Sequence, residues 1–170
     1  VLDMLFEGRA DVSEAEYMRM VSGKTGALLE ASMKVGALLG KGEPEQVRAL
    51  AEYGRLIGLA FQMRDDVLGV AGEQEKFGKP IGSDVREGKQ TLIVVRALAT
   101  AQQEDKSTLL RALGKQDASE AELKTAIDVL KRAGAIDYVT ERARELIAQA
   151  KSKLKALPES RAREILSELA

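Results

Sequence analysis

The chain has 170 residues, of which 45% are hydrophobic and 31% are charged, so we expect a soluble globular protein with one core. Its formal net charge of -1 supplies no strong field that would attract a nucleic acid or an anionic membrane. Cysteine and histidine are both absent, which excludes disulfides, thiolate nucleophiles, histidine-ligated zinc and a Ser-His-Asp triad.

The N-terminal segment predicts short helices. Residues 2–6 have the pattern of a helix end, and the absence of an initiating Met predicts that the natural start of the protein precedes Val1. Ser13 and Glu16 have the spacing of a capping box, in which each side chain bonds the backbone of the other residue. A short helix should therefore begin just after Ser13.

Two longer helices are predicted next. Gly23 interrupts the first short helix, and residues 24–39, rich in small side chains, predict a helix that can pack closely against a neighbour. Pro44 suits the first turn of the following helix, which should cover residues 45–70. Around residues 57–61 this helix is apolar on all sides, a pattern that indicates burial on every side.

The remaining chain predicts a loop and then further helices. Glycines and a proline mark residues 72–88 as a loop with at most one helical turn. Helices are predicted at 89–101 and 103–113, after a second capping box at Ser119, along an amphipathic stretch ending before Pro158, and at 161–169. With no internal repeat and no linker, residues 1–170 predict a single all-α domain, an antiparallel helix bundle around a central cavity.

Two adjacent carboxylates, Asp65 and Asp66, lie between apolar segments of the predicted 45–70 helix. Such a pair is commonly solvated, but apolar flanks on both sides make an unpaired carboxylate costly. Arg64 or a divalent cation could compensate, and Gln62 shares a helical face with the pair. Oxygen ligands on a helix suit Mg²⁺, which binds through one or two carboxylates together with substrate phosphates.

Lysines supply a possible anion site. Lys76, Lys79 and Lys89 lie in or just after the glycine-rich stretch, where backbone and ammonium groups can approach a phosphate. Lys24 and Thr25 are predicted at a helix N-terminus, whose N–H groups also favour anions. Taken alone, each lysine fits a solvated loop, and Lys24 with Thr25 fits a helix start without a ligand. Together with the carboxylates and an apolar interior, they indicate an apolar chain that carries a diphosphate.

Tyr17 and the segments 24–28 (KTGAL), 58–69 (GLAFQMRDDVLG) and 78–91 (GKPIGSDVREGKQT) follow one another in the chain. This combination resembles the trans-isoprenyl diphosphate synthases, a family also called polyprenyl synthetases, over nearly the whole sequence. The resemblance implies an all-α bundle of the isoprenoid synthase type. Residues 1–170 would be the C-terminal portion of such a domain.

The resemblance also implies roles for particular residues. Asp65 and Asp66 would begin the second aspartate-rich motif of the family and bind Mg²⁺ on the allylic diphosphate. Lys24 would bind the same diphosphate, and Thr25 beside it and Gln62 would lie near the reacting allylic carbons.

Other motif residues have supporting roles by the same resemblance. Lys79 and Lys89 would contact the diphosphate and its metals, and Asp84 would orient those lysines. Asp3 matches the last residue of the family's Gly-Gln-x-x-Asp element.

The implied activity is that of a prenyltransferase of the geranylgeranyl or farnesyl type. It joins isopentenyl diphosphate head to tail to an allylic diphosphate and releases diphosphate, with Mg²⁺ as the cofactor. A cytoplasmic homodimer without stable membrane insertion is the implied state.

Two departures from the family pattern leave alternatives open. Gly69 stands where a third aspartate is usual, and the first aspartate-rich motif is absent, so the chain alone should be inactive. A non-catalytic or regulatory subunit of a heteromeric prenyl synthase is one alternative reading. A class I terpene cyclase relative is another, although the GKP and EGKQT segments argue against it.

Overall fold

A computed structural model describes residues 2–6, 8–71 and 82–170, and these residues form helices and connecting turns without any strand. The all-α prediction is therefore confirmed. The α-helices are α1 (Leu2–Phe6), α2 (Glu14–Val21), α3 (Ala27–Leu39), α4 (Pro44–Ala71), α5 (Ser83–Glu87), α6 (Leu92–Thr100), α7 (Gln103–Ala112), α8 (Glu120–Arg132), α9 (Ala135–Lys153) and α10 (Arg161–Leu169). A π-helical turn, Ser22–Gly26, joins α2 to α3, and a 3-10 turn, Leu154–Ala156, follows α9.

Both predicted capping boxes are present. The backbone N–H of Ser13 donates to Glu16 Oε2 at 2.9 Å, and the N–H of Glu16 donates to Ser13 Oγ at 3.2 Å. Ser119 and Glu122 make the same reciprocal pair at 2.8 and 3.3 Å. These bonds satisfy amide groups that a helix N-terminus otherwise leaves without partners, and so they fix where α2 and α8 begin.

The predicted helix start at Lys24 is wrong. The backbone stays helical from residue 14 to residue 39, so Gly23 does not interrupt it, and Lys24 and Thr25 lie inside the π-helical turn. A glycine inside a helix costs only about 1 kcal/mol, which tertiary packing easily offsets. Lys24 therefore has no free helix N-terminus beside it, and that part of the anion-site argument fails.

The chain divides into two compact units. The first unit consists of Val1–Met20 and Met63–Glu141, and the second unit consists of Val21–Gln62 and Arg142–Ala170. The prediction of one domain over residues 1–170 stays a prediction. None of the described helices has both the length and the apolar character that crossing a bilayer requires.

The core of the first unit is built by α5 to α8 and the beginning of α9, together with side chains from α2 and the end of α4. Its fully buried side chains are Met63, Val85, Leu92, Ile93, Ala97, Leu109, Ala126, Val129, Leu130, Ala135 and Val139. Each large apolar side chain removed from water in this way contributes about 2 kcal/mol. This core fixes α5 and the segment after it, which carry several of the predicted site residues.

In the second unit, α4 lies backbone to backbone against the π-helical turn and α3. A Cβ at Gly58 would lie 2.7 Å from the Cα of Gly26, and a Cβ at Gly54 would lie 2.5 Å from the carbonyl oxygen of Leu29. These distances are shorter than van der Waals contact, so only glycine permits this helix spacing. The predicted close packing of the small-residue helix is confirmed at Gly26, whereas Ala31, Ser32 and Gly36 are exposed.

One burial prediction is partly wrong. Leu59 and Ala60 are buried as predicted, but Phe61 on the same apolar stretch is 64% exposed. Successive helix residues point about 100° apart, so one side of α4 faces solvent at this level. An apolar residue is a weak indicator of burial, because much of any protein surface is apolar.

Candidate functional site

The carboxylate pair on α4 is divided between two environments. Asp65 is exposed, whereas Asp66 is only 5% exposed, although the residues are adjacent. Because their side chains point about 100° apart around the helix, the Asp65 carboxylate faces solvent and the Asp66 carboxylate faces the interior of the first unit. The pair is therefore neither wholly solvated nor wholly buried.

Tyr17 of α2 compensates for the burial of Asp66. Its hydroxyl donates to Asp66 Oδ2 at 2.7 Å, and Tyr17 is 1% exposed. Burial raises the pKa of the Tyr17 hydroxyl, and the negative charge of Asp66 raises it further. The hydroxyl therefore stays protonated and remains a hydrogen-bond donor. No motif in the sequence predicted Tyr17 as this partner, although a tyrosine with a buried ring requires an acceptor for its hydroxyl.

Arg64 is not the partner that the sequence suggested. It is exposed, and within the described part of the chain it makes no ion pair with either aspartate. A hydrogen bond from a neutral hydroxyl thus takes the place of the predicted arginine.

The segment after residue 81 returns to α4 one turn beyond the aspartates. The N–H of Gly82 donates to the carbonyl oxygen of Gly69 at 3.2 Å. A Cβ at Gly69 would lie 2.7 Å from Asp84 Oδ2. The space beside Gly69 therefore holds the carboxylate of Asp84, close to where a side chain at position 69 would begin.

Asp84 in turn holds Lys89. The ammonium group of Lys89 donates to Asp84 Oδ1 at 2.8 Å and pairs with Glu87 Oε2 at 2.7 Å. Burial alone lowers the pKa of Lys89, but the hydrogen bonds to Asp84 and Glu87 outweigh it, so the pKa lies above its ordinary value. Lys89 is thus a permanent cation at a fixed place. The predicted contact between Asp84 and Lys89 is present.

The start of α6 explains why Lys89 can make these contacts. The helix predicted at 89–101 begins at Leu92, with Thr91 as its N-cap, whose hydroxyl oxygen accepts from the N–H of Val94 at 3.4 Å. Lys89 therefore lies in the short non-helical segment between α5 and α6, where its backbone N–H donates to the carbonyl oxygen of Asp84 at 3.0 Å and its side chain can turn back towards α5.

The second unit brings two further predicted residues together. The hydroxyl of Thr25 donates to Gln62 Oε1 at 3.1 Å, and both side chains are half-buried. The glycine contacts between α4 and the π-helical turn make this short distance possible. Lys24, next to Thr25, is exposed. Lys76 and Lys79 lie outside the described residues.

The donor atoms at the carboxylate pair fit a hard cation. Only oxygen is offered, which suits Mg²⁺ and excludes the thiolate or imidazole ligands that zinc prefers. Over the described ranges, no three acidic side chains are arranged to hold a metal by themselves. A cation at Asp65 would therefore take its other ligands from water or from a phosphate, as Mg²⁺ commonly does.

A family model described as polyprenyl synthetase matches residues 1–130 of this chain. A short chain isoprenyl diphosphate synthase of Methanothermobacter thermautotrophicus is 47% identical over 169 residues, which are 99% of this chain and 51% of the relative. A geranylgeranyl pyrophosphate synthase of Geoglobus acetivorans is 45% identical, again over 99% of this chain and 51% of the relative. The chain thus spans about half the length of the relatives that it matches.

Solved structures give the same match. Geranylgeranyl pyrophosphate synthetase from Pyrococcus horikoshii aligns with a TM-score of 0.92 and 45% identity over 99% of this chain and 51% of that chain. Geranylgeranyl pyrophosphate synthase from Corynebacterium glutamicum, complexed with isoprenyl diphosphate and magnesium, aligns with a TM-score of 0.91 and 31% identity. That match covers 99% of this chain and 48% of the other.

Proposed function

The chain belongs to the polyprenyl synthetase family, and we propose that it supplies the second aspartate-rich half of the substrate site in a polyprenyl diphosphate synthase. The complete enzyme joins isopentenyl diphosphate head to tail to an allylic diphosphate and releases diphosphate. A geranylgeranyl or farnesyl product, a homodimer and a cytoplasmic location belong to the same proposal. The names of the relatives support the activity.

The observation that carries the proposal is the arrangement at the end of α4. Asp65 is exposed beside the buried Asp66. One turn later the Asp84 carboxylate lies beside Gly69 and holds the Lys89 ammonium. A solvent-facing carboxylate and a fixed cation at one helix end suit a metal-bound diphosphate, because the carboxylate attracts the metal and the cation attracts the phosphate.

The residues present fit Mg²⁺, and the magnesium in the Corynebacterium relative supports that choice. When bound, Mg²⁺ would stabilise the negative charge that develops on the diphosphate as it leaves. Asp65 would be the ligand, and Lys89, with Lys24 and Lys79, would neutralise the diphosphate oxygens.

Thr25 and Gln62 have a positioning role in the proposed reaction. The Thr25 hydroxyl fixes the amide oxygen of Gln62, so that the Gln62 dipole is oriented before substrate binds. Both groups stabilise positive charge on the allylic carbons. The departing diphosphate takes the proton that the new carbon–carbon bond displaces, so no histidine or cysteine is required.

Gly69 is the one observation that favours a non-catalytic subunit. This observation is weaker support for a non-catalytic subunit because the Asp84 carboxylate lies beside Gly69. A negative charge is thus present near the position of the missing third aspartate. We therefore prefer the catalytic proposal and keep the regulatory subunit as an outcome of the test.

A calorimetric titration with Mg²⁺ and inorganic diphosphate tests the proposal. We expect Mg²⁺-dependent diphosphate binding by the 170-residue chain, weakened by about tenfold or more in Asp65→Ala, as is typical when a metal site is damaged. Asp137→Ala, which removes an exposed helical aspartate elsewhere in the first unit, should bind like the wild type. Equal binding by the Asp65 variant would refute the role of Asp65.

A second assay separates the enzyme classes. The isolated chain should form no product from labelled isopentenyl diphosphate, an allylic diphosphate and Mg²⁺, because it lacks the first aspartate motif. A longer protein that contains both this chain and the first aspartate motif should incorporate the label into a prenyl diphosphate product. A terpene cyclase would consume the allylic diphosphate without incorporation, and a regulatory subunit would do neither.

A further inference from the structure

The beginning of α2 is held firmly, and this determines how precisely Tyr17 is placed. The capping box of Ser13 and Glu16 fixes the first turn. Glu14 also accepts a hydrogen bond from the hydroxyl of Tyr138 at 2.7 Å. Arg96 lies 4.2 Å above the ring of Tyr138, and this cation–π contact holds that tyrosine in turn. Tyr17 follows one turn after Ser13, on a helix that cannot easily rotate.

The hydroxyl of Tyr17 transfers this rigidity to α4. It reaches Asp66 Oδ2 at 2.7 Å across 49 residues of sequence, and both side chains lie in the interior of the first unit. A charge-assisted hydrogen bond of this kind is among the stronger polar contacts in proteins. Burial strengthens it further, because both groups are largely removed from bulk water.

We infer that Tyr17 is a positioning residue that keeps Asp66 turned inwards and thereby leaves Asp65 as the accessible carboxylate of the pair. The inference rests on the proposed function and changes one part of it. Asp66, predicted from the sequence as a metal-binding residue together with Asp65, acts through its bond to Tyr17 and fixes the rotation of α4.

The geometry explains why one tyrosine can decide between two adjacent carboxylates. Because neighbouring side chains point about 100° apart on a helix, Asp65 faces solvent when Asp66 faces Tyr17. Holding Asp66 inwards fixes the direction in which Asp65 points. Without the hydroxyl, Asp66 loses the hydrogen bond that ties it to α2, and its side chain is held inwards less firmly because a buried carboxylate with fewer donors is costly.

Tyr17→Phe tests the inference, and Tyr53→Phe is a matched control. Tyr53 is also 1% exposed, and its hydroxyl donates to the carbonyl oxygen of Leu166 in the second unit. Each variant loses one hydroxyl and keeps the aromatic ring. A general loss of stability should therefore be similar in the two proteins, whereas an effect on the aspartates should occur only in Tyr17→Phe.

The first measurement is carbodiimide labelling of carboxylates, read by mass spectrometry, and it requires neither metal nor substrate. In the wild-type chain and in Tyr53→Phe, we expect Asp65 to be labelled and Asp66 to be protected. In Tyr17→Phe, Asp66 labelling should rise above its level in the wild type and in Tyr53→Phe. Continued protection of Asp66 in the folded Tyr17 variant would overturn the inference.

The second measurement is calorimetric titration with Mg²⁺ and inorganic diphosphate. Tyr17→Phe should weaken binding by about tenfold, the usual size of effect for a group that orients a metal ligand, and Tyr53→Phe should not. Unchanged affinity together with increased Asp66 labelling would overturn the positioning role. Failure of the wild-type chain to bind would contradict the proposed function, and the labelling would still decide whether Tyr17 holds Asp66.

Discussion

Asp66 and Gln90 are both polar side chains buried in the first unit, 5% and 4% exposed, but their surroundings differ. Asp66 accepts a hydrogen bond from Tyr17. Neither the amide nitrogen nor the amide oxygen of Gln90 has a hydrogen-bond partner in the described part of the chain. Similar burial therefore accompanies a satisfied group in α4 and an unsatisfied group just before α6.

The difference shows that burial of a polar group is not by itself informative. A buried donor or acceptor without a partner costs about 1–3 kcal/mol, whereas a satisfied one contributes about 1 kcal/mol in favour of folding. The Tyr17–Asp66 pair should therefore stabilise the folded chain, and the Gln90 amide should destabilise it. Substitutions on the two sides of this comparison should have opposite signs.

The largest effect should follow Asp66→Leu. The new side chain fills similar space but leaves the Tyr17 hydroxyl buried without an acceptor, so the free energy of unfolding in urea should fall by about 3 kcal/mol. The double variant Tyr17→Phe with Asp66→Leu should recover part of this loss, because the hydroxyl that lost its acceptor is then removed as well. A double variant as unstable as the single one would show that the hydrogen bond is not the cause.

The next effect concerns alkaline pH. Burial and then the charge of Asp66 raise the pKa of Tyr17. The folded chain thus retains a proton that the unfolded chain releases above about pH 10. The stability linked to Tyr17 is fully present below that pH and is lost as the pH rises.

A comparison of variants isolates the contribution of Tyr17 to this pH dependence of stability. The difference in unfolding free energy between wild type and Tyr17→Phe, about 2 kcal/mol at pH 8, should shrink by about 1 kcal/mol between pH 10 and pH 11. The difference between wild type and Gln90→Met should stay constant, because glutamine does not titrate. A constant Tyr17 difference would contradict the raised pKa.

A smaller effect of opposite sign is expected at Gln90. Gln90→Met keeps the length of the side chain and removes both unsatisfied atoms, so the free energy of unfolding should rise by about 1 kcal/mol. Urea denaturation measures the change. A loss of stability of the same size would indicate that the amide has a partner in solution, for example a buried water.

The smallest effect should follow Gly69→Ala. The new methyl group would displace the flexible carboxylate end of Asp84 and disturb its ion pair with Lys89. Partly exposed ion pairs contribute at most about 1 kcal/mol, and alanine gains about as much in helix propensity over glycine. We therefore expect a thermal midpoint close to that of the wild type. A large destabilisation would show that the Asp84–Lys89 ion pair contributes as much to stability as the Tyr17–Asp66 hydrogen bond.

Local signals in the sequence predicted the helices well. Ser13 and Ser119 marked helix starts because capping depends only on residues three apart. The predicted helix at 45–70 agrees with α4, Pro44–Ala71, since its apolar periodicity is long and uninterrupted. The helix break predicted at Gly23 is wrong, because the sequence alone does not show how much tertiary packing offsets a helical glycine.

The site was predictable in composition but not in pairing. The apolar flanks of Asp65 and Asp66 indicated that burial must be compensated, and the structure shows it for Asp66 alone. The partner, Tyr17, lies 49 residues away, and no local pattern identifies such a contact. Phe61 illustrates the same limit, since its exposure depends on which side of α4 other helices cover.

The contact between Gly26 and Gly58 makes the two glycines unequal for protein engineering. A Cβ at Gly26 would find its nearest neighbour, the carbonyl oxygen of Arg55, at 3.6 Å, whereas a Cβ at Gly58 would lie 2.7 Å from the backbone of Gly26. In a mutational library, position 26 should accept alanine and position 58 should accept only glycine. Any side chain that forces these helices apart would also separate Thr25 from Gln62.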